Sequence, residues 1–120
     1  MSKFKIINPE VLKSSMMNNM EMVKQLINLY LTQGKVDFET LQSAVEARDL
    51  QEVASKSHHI KPTMEYIGAT DLRILFQELE QKAKKNEPSD VIEETFSRLK
   101  KDFDTAMIEL EAYSTSLVDA

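Results

Sequence analysis

Two adjacent histidines and a nearby lysine are the residues of this chain best suited to chemistry. They are His58, His59 and Lys61. On a helix, Lys61 shares a face with His58, because residues three apart are neighbours there. A neutral imidazole is a nucleophile, and its ordinary pKa of about 6.5 leaves it largely unprotonated at pH 7. An ammonium beside it can bind a phosphoryl oxygen. The spacing therefore suits a histidine that accepts a phosphoryl group.

The same histidines fit a metal site poorly. At about 100° per residue, His58 and His59 point roughly 140° and 120° from the apolar side of their helix, on opposite shoulders. We therefore expect both rings to be solvated and unable to chelate one metal. The chain has no cysteine, which excludes disulfides, thiolate zinc sites, iron–sulfur clusters and cysteine nucleophiles. We expect no metal and no cofactor in this chain.

Composition narrows the class of protein further. The 120 residues are 42% hydrophobic and 29% charged, the balance of one soluble domain. Two glycines and three prolines are too few for a sandwich or barrel and cannot build a phosphate-binding glycine loop. The net charge of −5 argues against nucleic acid or an anionic membrane as partner. No apolar run approaches the roughly 20 residues of a membrane span, and the apolar stretch at the amino terminus is too short for a signal peptide. We expect a cytoplasmic protein.

Apolar residues recur with a helical period after residue 8. Asn8-Pro9-Glu10 predicts the start of a short helix, with Asn as N-cap and Pro at the first helical position. A second helix is expected from about Asn19 to Arg48. Its apolar stripe keeps phase across Gly34, which favours one continuous helix; two helices broken near Gly34 are the alternative.

Three further helices follow. Asp49 and Glu52 have the spacing of a capping box at the start of the third helix, and Gly68 is expected to end it as a C-cap. A fourth helix ends in a cluster of lysines, which complement the helix dipole. The last helix begins after Pro88, and its tail, residues 114–120, is expected to fray.

Short connections between long helices favour antiparallel neighbours. The sequence therefore predicts an all-α fold: an antiparallel, up-down-up-down four-helix bundle with a short extra N-terminal helix. We expect a single domain over residues 1–120, with its core at about 8–113, and a monomer. The initial Met1 favours a free-standing protein over a piece of a sensor kinase.

The stretch S-H-H-I-K-P-T-M-E-Y-I-G-A-T-D-L, from Ser57 to Leu72, resembles the signature of histidine-containing phosphotransfer (HPt) domains. In that family an apolar residue follows the phospho-accepting histidine at +2, lysine at +3 and Gly-Ala at +10 and +11. Counting from His58 matches this pattern, whereas counting from His59 misplaces the lysine and the Gly-Ala pair. The resemblance spans about residues 8–113. It implies that His58 accepts the phosphoryl group and that Lys61 stabilises it.

One position departs from the family, which usually has glycine at +4, where this chain has Pro62. Proline lacks an N–H and crowds the carbonyl four residues back, here that of His58. We expect Pro62 to bend the helix and to leave the His58 carbonyl open to water. Pro62 and Gly68 are thus expected to shape the site.

The resemblance implies a phosphorelay intermediate. It would take a phosphoryl group from the aspartyl phosphate of a receiver domain and pass it to another receiver, without catalytic activity of its own. The expected partners are receiver domains of response regulators and hybrid sensor histidine kinases, and the receiver supplies the magnesium ion. One alternative is a degenerate HPt-like adaptor that binds a receiver or kinase without phosphotransfer. Another is a helical adaptor unrelated to signalling, which would leave the exposed histidine and the Gly-Ala pair unexplained.

Three further residues are candidates for a docking surface. Met17 and Met22 fall off the apolar stripe of the second helix, so we expect them to be exposed and to form an apolar patch. The family resemblance places receiver docking there and on the His58 helix. Glu65 lies two turns beyond His58 and is expected to add a surface charge. The acidic residues in general are expected on solvated faces, which gives no support to an enzyme with paired carboxylates.

Overall fold

The computed structural model describes residues 4–118, and these contain five α-helices. The all-α class predicted from the sequence is confirmed. The helices are α1 Pro9–Ser15, α2 Met20–Glu46, α3 Leu50–Tyr66, α4 Thr70–Lys84 and α5 Ser89–Val118.

Short polar side chains begin the first three helices. The Asn8 side chain accepts a hydrogen bond from the Glu10 N–H at 3.0 Å, and that of Asp49 accepts one from the Glu52 N–H at 3.2 Å. Asn19 caps α2 in the same way. Each cap satisfies a backbone donor that has no partner within the helix. Because α2 continues through Gly34 without a break, the continuous helix is confirmed and the alternative of two helices is wrong.

Helices α2 to α5 form a ring in which each packs against the next and α5 packs against α2. Along α3 and α4 the contacts run in opposite directions: Glu65 meets Arg73, whereas the earlier Lys61 meets the later Gln77. This is the order expected of antiparallel neighbours. Aromatic rings fill part of the centre, where Phe38 stacks on Phe103 with ring centroids 4.1 Å apart.

Helix α1 packs at one end of the bundle, against α2 and α3. Gly68 ends α3 with a φ of +72°, and the Ala69 N–H bonds the Met64 carbonyl at 2.8 Å, as a Schellman C-cap requires. The predicted cap is thus confirmed. Next to it, the Asn8 N–H donates to the Ile67 carbonyl at 2.9 Å. A Cβ at Gly68 would lie 2.5 Å from the Cβ of Asn8, so glycine permits this close approach.

The last helix is longer than the sequence indicated. It continues to Val118, past residue 114, from which fraying was predicted, and residues 119 and 120 lie outside the described part. Leu117 is half-buried against the core, which gives this last stretch a packing partner. Between residues 4 and 118, none of the helices combines the length and the apolarity needed to cross a bilayer.

The chain's two glycines should respond to alanine with opposite signs. At Gly34 an added Cβ meets nothing within 4 Å, so Gly34→Ala should raise the free energy of unfolding by about 1 kcal/mol through helix propensity. Gly68→Ala should lower it by about 2 kcal/mol, because of the positive φ and the contact with Asn8. Urea denaturation of both variants measures this. Equal stability of Gly68→Ala and the wild type would contradict the observed packing.

Candidate functional site

His58 and Lys61 lie on the face of α3 that packs against α4. The His58 side chain is 69% exposed, whereas that of Lys61 is only 19% exposed. Opposite them, α4 presents Gln77, Glu80 and Lys84. Their i, i+3, i+7 spacing places these three side chains on one face of α4.

Glu80 is the centre of this cluster, and its side chain is only 3% exposed. Its Oε2 lies 3.2 Å from His58 Nδ1 and 2.9 Å from Lys84 Nζ. Its Oε1 accepts a hydrogen bond from Lys61 Nζ at 2.9 Å, and Lys61 also donates to Gln77 Oε1. One buried carboxylate therefore holds three side chains from two helices.

The charge of Glu80 follows from these neighbours. Burial raises the pKa of Glu80, but hydrogen bonds and positive charge from Lys61 and Lys84 outweigh burial and lower it below its ordinary value. Glu80 is therefore ionised at neutral pH and can only accept hydrogen bonds. It follows that His58 donates from Nδ1–H, since two acceptors would not pair. In the neutral ring, Nε2 then carries the free lone pair.

The approach to the His58 ring is open. A surface groove of about 550 Å³ runs from His58 between α3 and α4, past Ala54 and Ala83 to Asn86. Lys84 lines this groove and is about half exposed. A phosphoryl donor can therefore reach the ring from solvent, with a cation from each helix nearby.

His59 faces a different neighbour. Its Nε2 lies 3.7 Å from Asp37 Oδ2 on α2, and its side chain is also 69% exposed. The expectation that both rings are solvated and diverge is confirmed. In the part of the chain that the structure describes, no group of three or more His, Cys, Asp or Glu side chains could hold a metal ion.

The two residues expected to shape the site lie apart from each other. Pro62 is exposed within α3, which continues past it to Tyr66. Having no N–H, Pro62 gives the His58 carbonyl no helical donor; the bend stays a prediction. Gly68 lies after the end of α3, where an added Cβ would contact Asn8 and Val11. The contacts of Gly68 therefore concern the packing of α1.

The three docking candidates are all on the surface. Met17 is 87% exposed and Met22 is 46% exposed, as predicted. Glu65 is exposed too, and its carboxylate lies 3.4 Å from Arg73. The sequence did not indicate this ion pair.

Glu80 was missed by sequence reasoning, which placed all acidic residues on solvated faces. That expectation is wrong for Glu80 and Glu109, both of which are buried. The available signal was position: Glu80 falls four residues after Phe76 and three before Ala83, on the buried stripe of α4. A carboxylate on an apolar stripe, one turn before Lys84, indicates a paired charge.

Comparison with known proteins agrees with this geometry. The family model described as "Hpt domain" matches residues 25–112. The crystal structure of histidine-containing phosphotransfer protein B (HptB) from Pseudomonas aeruginosa PAO1 is similar, with a TM-score of 0.79 and 18% sequence identity. The match covers 92% of this chain and 95% of that chain, and it shows a shared fold. Among curated proteins, no match is found.

The lowered pKa of Glu80 predicts a pH-dependent contribution to stability. Ionised Glu80 stabilises the fold above about pH 4.5, its unfolded value, and this stabilisation is lost as the pH falls through the lower folded-state pKa. Glu80→Gln should lower the free energy of unfolding by about 2 kcal/mol at pH 7. The difference from the wild type should shrink in acid. Denaturant titrations at pH 7 and pH 3 measure it, with the exposed Glu93→Gln as control. A pH-independent difference would contradict the assignment.

Proposed function

Because this chain belongs to the Hpt domain family, whose members carry phosphoryl groups in phosphorelays, we propose that it accepts a phosphoryl group on His58 and passes it on. The donor is the aspartyl phosphate of a receiver domain, and the acceptor is the aspartate of another receiver. The contact between His58 Nδ1 and Glu80 carries the proposal. It fixes the ring tautomer that leaves Nε2 nucleophilic.

The transfer step follows from this tautomer. The Nε2 lone pair of His58 attacks the phosphorus, an N–P bond forms, and the P–O bond to the receiver's aspartate breaks to release its carboxylate. Nδ1 keeps its proton, so the phosphorylated ring is cationic and Glu80 stabilises it as a counter-ion. The reverse attack by a second receiver's aspartate restores neutral His58. The magnesium ion that supports both steps is the receiver's.

Two lysines are placed to bind the transferred group. Lys61 and Lys84 each contact Glu80 at 2.9 Å, one on each carboxylate oxygen. Rotation of either long side chain can exchange a carboxylate oxygen for a phosphoryl oxygen. We expect Lys61, the more buried of the two, to contribute more. An adaptor that binds without phosphotransfer would need neither the fixed tautomer nor the paired lysines.

Docking of the receiver is supported by an apolar surface on α2. Met22, Leu29 and Val36 are each about half exposed and are seven residues apart, so they lie along one side of the helix. Leu29 also lines a pocket to which residues of α3 and α5 contribute. Met17 projects beside the start of α2. We call these four residues the docking patch and propose that it binds the receiver.

The relay is tested by labelling. Incubation with a phosphorylated receiver and magnesium should place an acid-labile, base-stable label on the wild type and on His59→Gln. His58→Gln should remain unlabelled, because Nε2 is lost. Lys61→Ala should slow transfer about tenfold, the effect of losing one charge-assisted hydrogen bond.

Two outcomes of this labelling experiment would contradict the proposal. Label that survives His58→Gln and disappears in His59→Gln would move the acceptor to His59. Binding of the receiver without any label on the wild type would favour the adaptor.

Met17 offers a second test, because a substitution there can remove the side chain proposed for docking without destabilising the backbone. Met17 has a φ of +54°, which glycine adopts without strain. Met17→Gly should leave the free energy of unfolding unchanged or raise it by about 1 kcal/mol. It should raise the KM for the phosphorylated receiver about fivefold, since an apolar contact is lost. Asn18→Gly, at a φ of +60°, is the matched control and should keep the wild-type KM. An unchanged KM in Met17→Gly would remove Met17 from the docking patch.

A further inference from the structure

We propose that Glu109 is a positioning residue for receiver docking: it anchors the N-terminal segment, residues 5–8, and thereby sets the place of α1 and Met17. The proposal rests on the proposed function, because it assigns a role in docking. It concerns a carboxylate on α5, a different helix from those that carry His58 and Glu80.

Glu109 is only 9% exposed and lies against backbone donors from the other end of the chain. Its Oε2 accepts from the Lys5 N–H at 2.7 Å, and its Oε1 accepts from the Ile6 and Ile7 N–H groups at 2.9 and 3.0 Å. Three successive N–H groups thus converge on one carboxylate, an arrangement that binds anions well. A buried charge without such partners would be strongly destabilising.

The N-terminal segment that Glu109 binds leads directly into α1. Ile7 is buried next to it, and the following Asn8 bonds the Ile67 carbonyl with its N–H and the Glu10 N–H with its side chain. Leu12 is fully buried in the core. The start of α1 is therefore fixed by Glu109 on one side and by the end of α3 on the other.

The far end of α1 fixes Met17. The Met17 N–H bonds the Ser14 carbonyl at 3.1 Å, and the Asn18 N–H bonds the Lys13 carbonyl at 2.8 Å. Met17 and Asn18 both adopt positive φ, and these two hydrogen bonds tie the turn that they form to α1. A shift of α1 would therefore move Met17 relative to α2 and disturb the docking patch.

The test compares Glu109→Gln with Glu111→Gln, an exposed glutamate that loses the same charge. The amide introduced by Glu109→Gln can accept with one oxygen only, so the Lys5 N–H loses its partner. We expect the KM for the phosphorylated receiver to rise about fivefold in Glu109→Gln, with the transfer rate at saturation unchanged. Labelling by phosphoramidate, a small donor that releases ammonia and needs no docking surface, should also be unchanged. Glu111→Gln should match the wild type throughout.

A second readout follows α1 directly. Amide hydrogen exchange over residues 10–18 should be faster in Glu109→Gln than in Glu111→Gln. If Glu109→Gln does not fold, Lys5→Pro serves as the second variant. It removes the N–H group that donates to Oε2 but leaves the buried carboxylate in place. The same measurements apply to it. An unchanged KM, or unchanged exchange in α1, would overturn the inference. A wild type that neither donor labels would contradict the proposed function instead, while the exchange experiment would still decide whether Glu109 holds α1.

Discussion

The site depends on the ion pairs and hydrogen bonds of Glu80, whose ionised carboxylate is buried between α3 and α4. A charge removed from water is tolerated only where donors replace the lost hydration. Here Lys61, Lys84 and His58 supply them. The same contacts that hold α3 against α4 also orient the imidazole ring. Glu80 therefore contributes both to the packing of α3 against α4 and to the orientation of the His58 ring.

The proposed function places chemistry and recognition on different parts of the bundle. His58 and Lys84 line the groove between α3 and α4, whereas the docking patch lies on α2 and at the α1–α2 turn. A second buried carboxylate, Glu109, ties the N-terminal segment to α5. Both Glu80 and Glu109 join parts of the chain that are distant in sequence, and each is satisfied by three donors. Two buried carboxylates thus fix the positions of parts of the bundle, one beside His58 and one at the N-terminal segment.

Much of the fold could be predicted from local sequence, because caps and helical periodicity are local features. Asn8 and Asp49 begin their helices as expected, and Gly68 ends α3. The partners of Glu80 on α3 and the partners of Glu109 could not be predicted in this way. Lys61 and His58 are 19 and 22 residues from Glu80 in sequence, and the partners of Glu109 are more than 100 residues away. No periodicity encodes such pairings; they exist only once the helices pack.

The tautomer of His58 decides which ring nitrogen is nucleophilic, and nitrogen NMR measures that tautomer directly. In a neutral ring, two-bond proton–nitrogen correlations of the unphosphorylated protein distinguish a protonated ring nitrogen from one with a free lone pair. We predict that His58 carries its proton on Nδ1, facing Glu80, and that Nε2 is unprotonated. A neutral His58 with its proton on Nε2 would contradict it, since Nδ1 would then oppose the carboxylate lone pairs and the exposed nitrogen would not be nucleophilic.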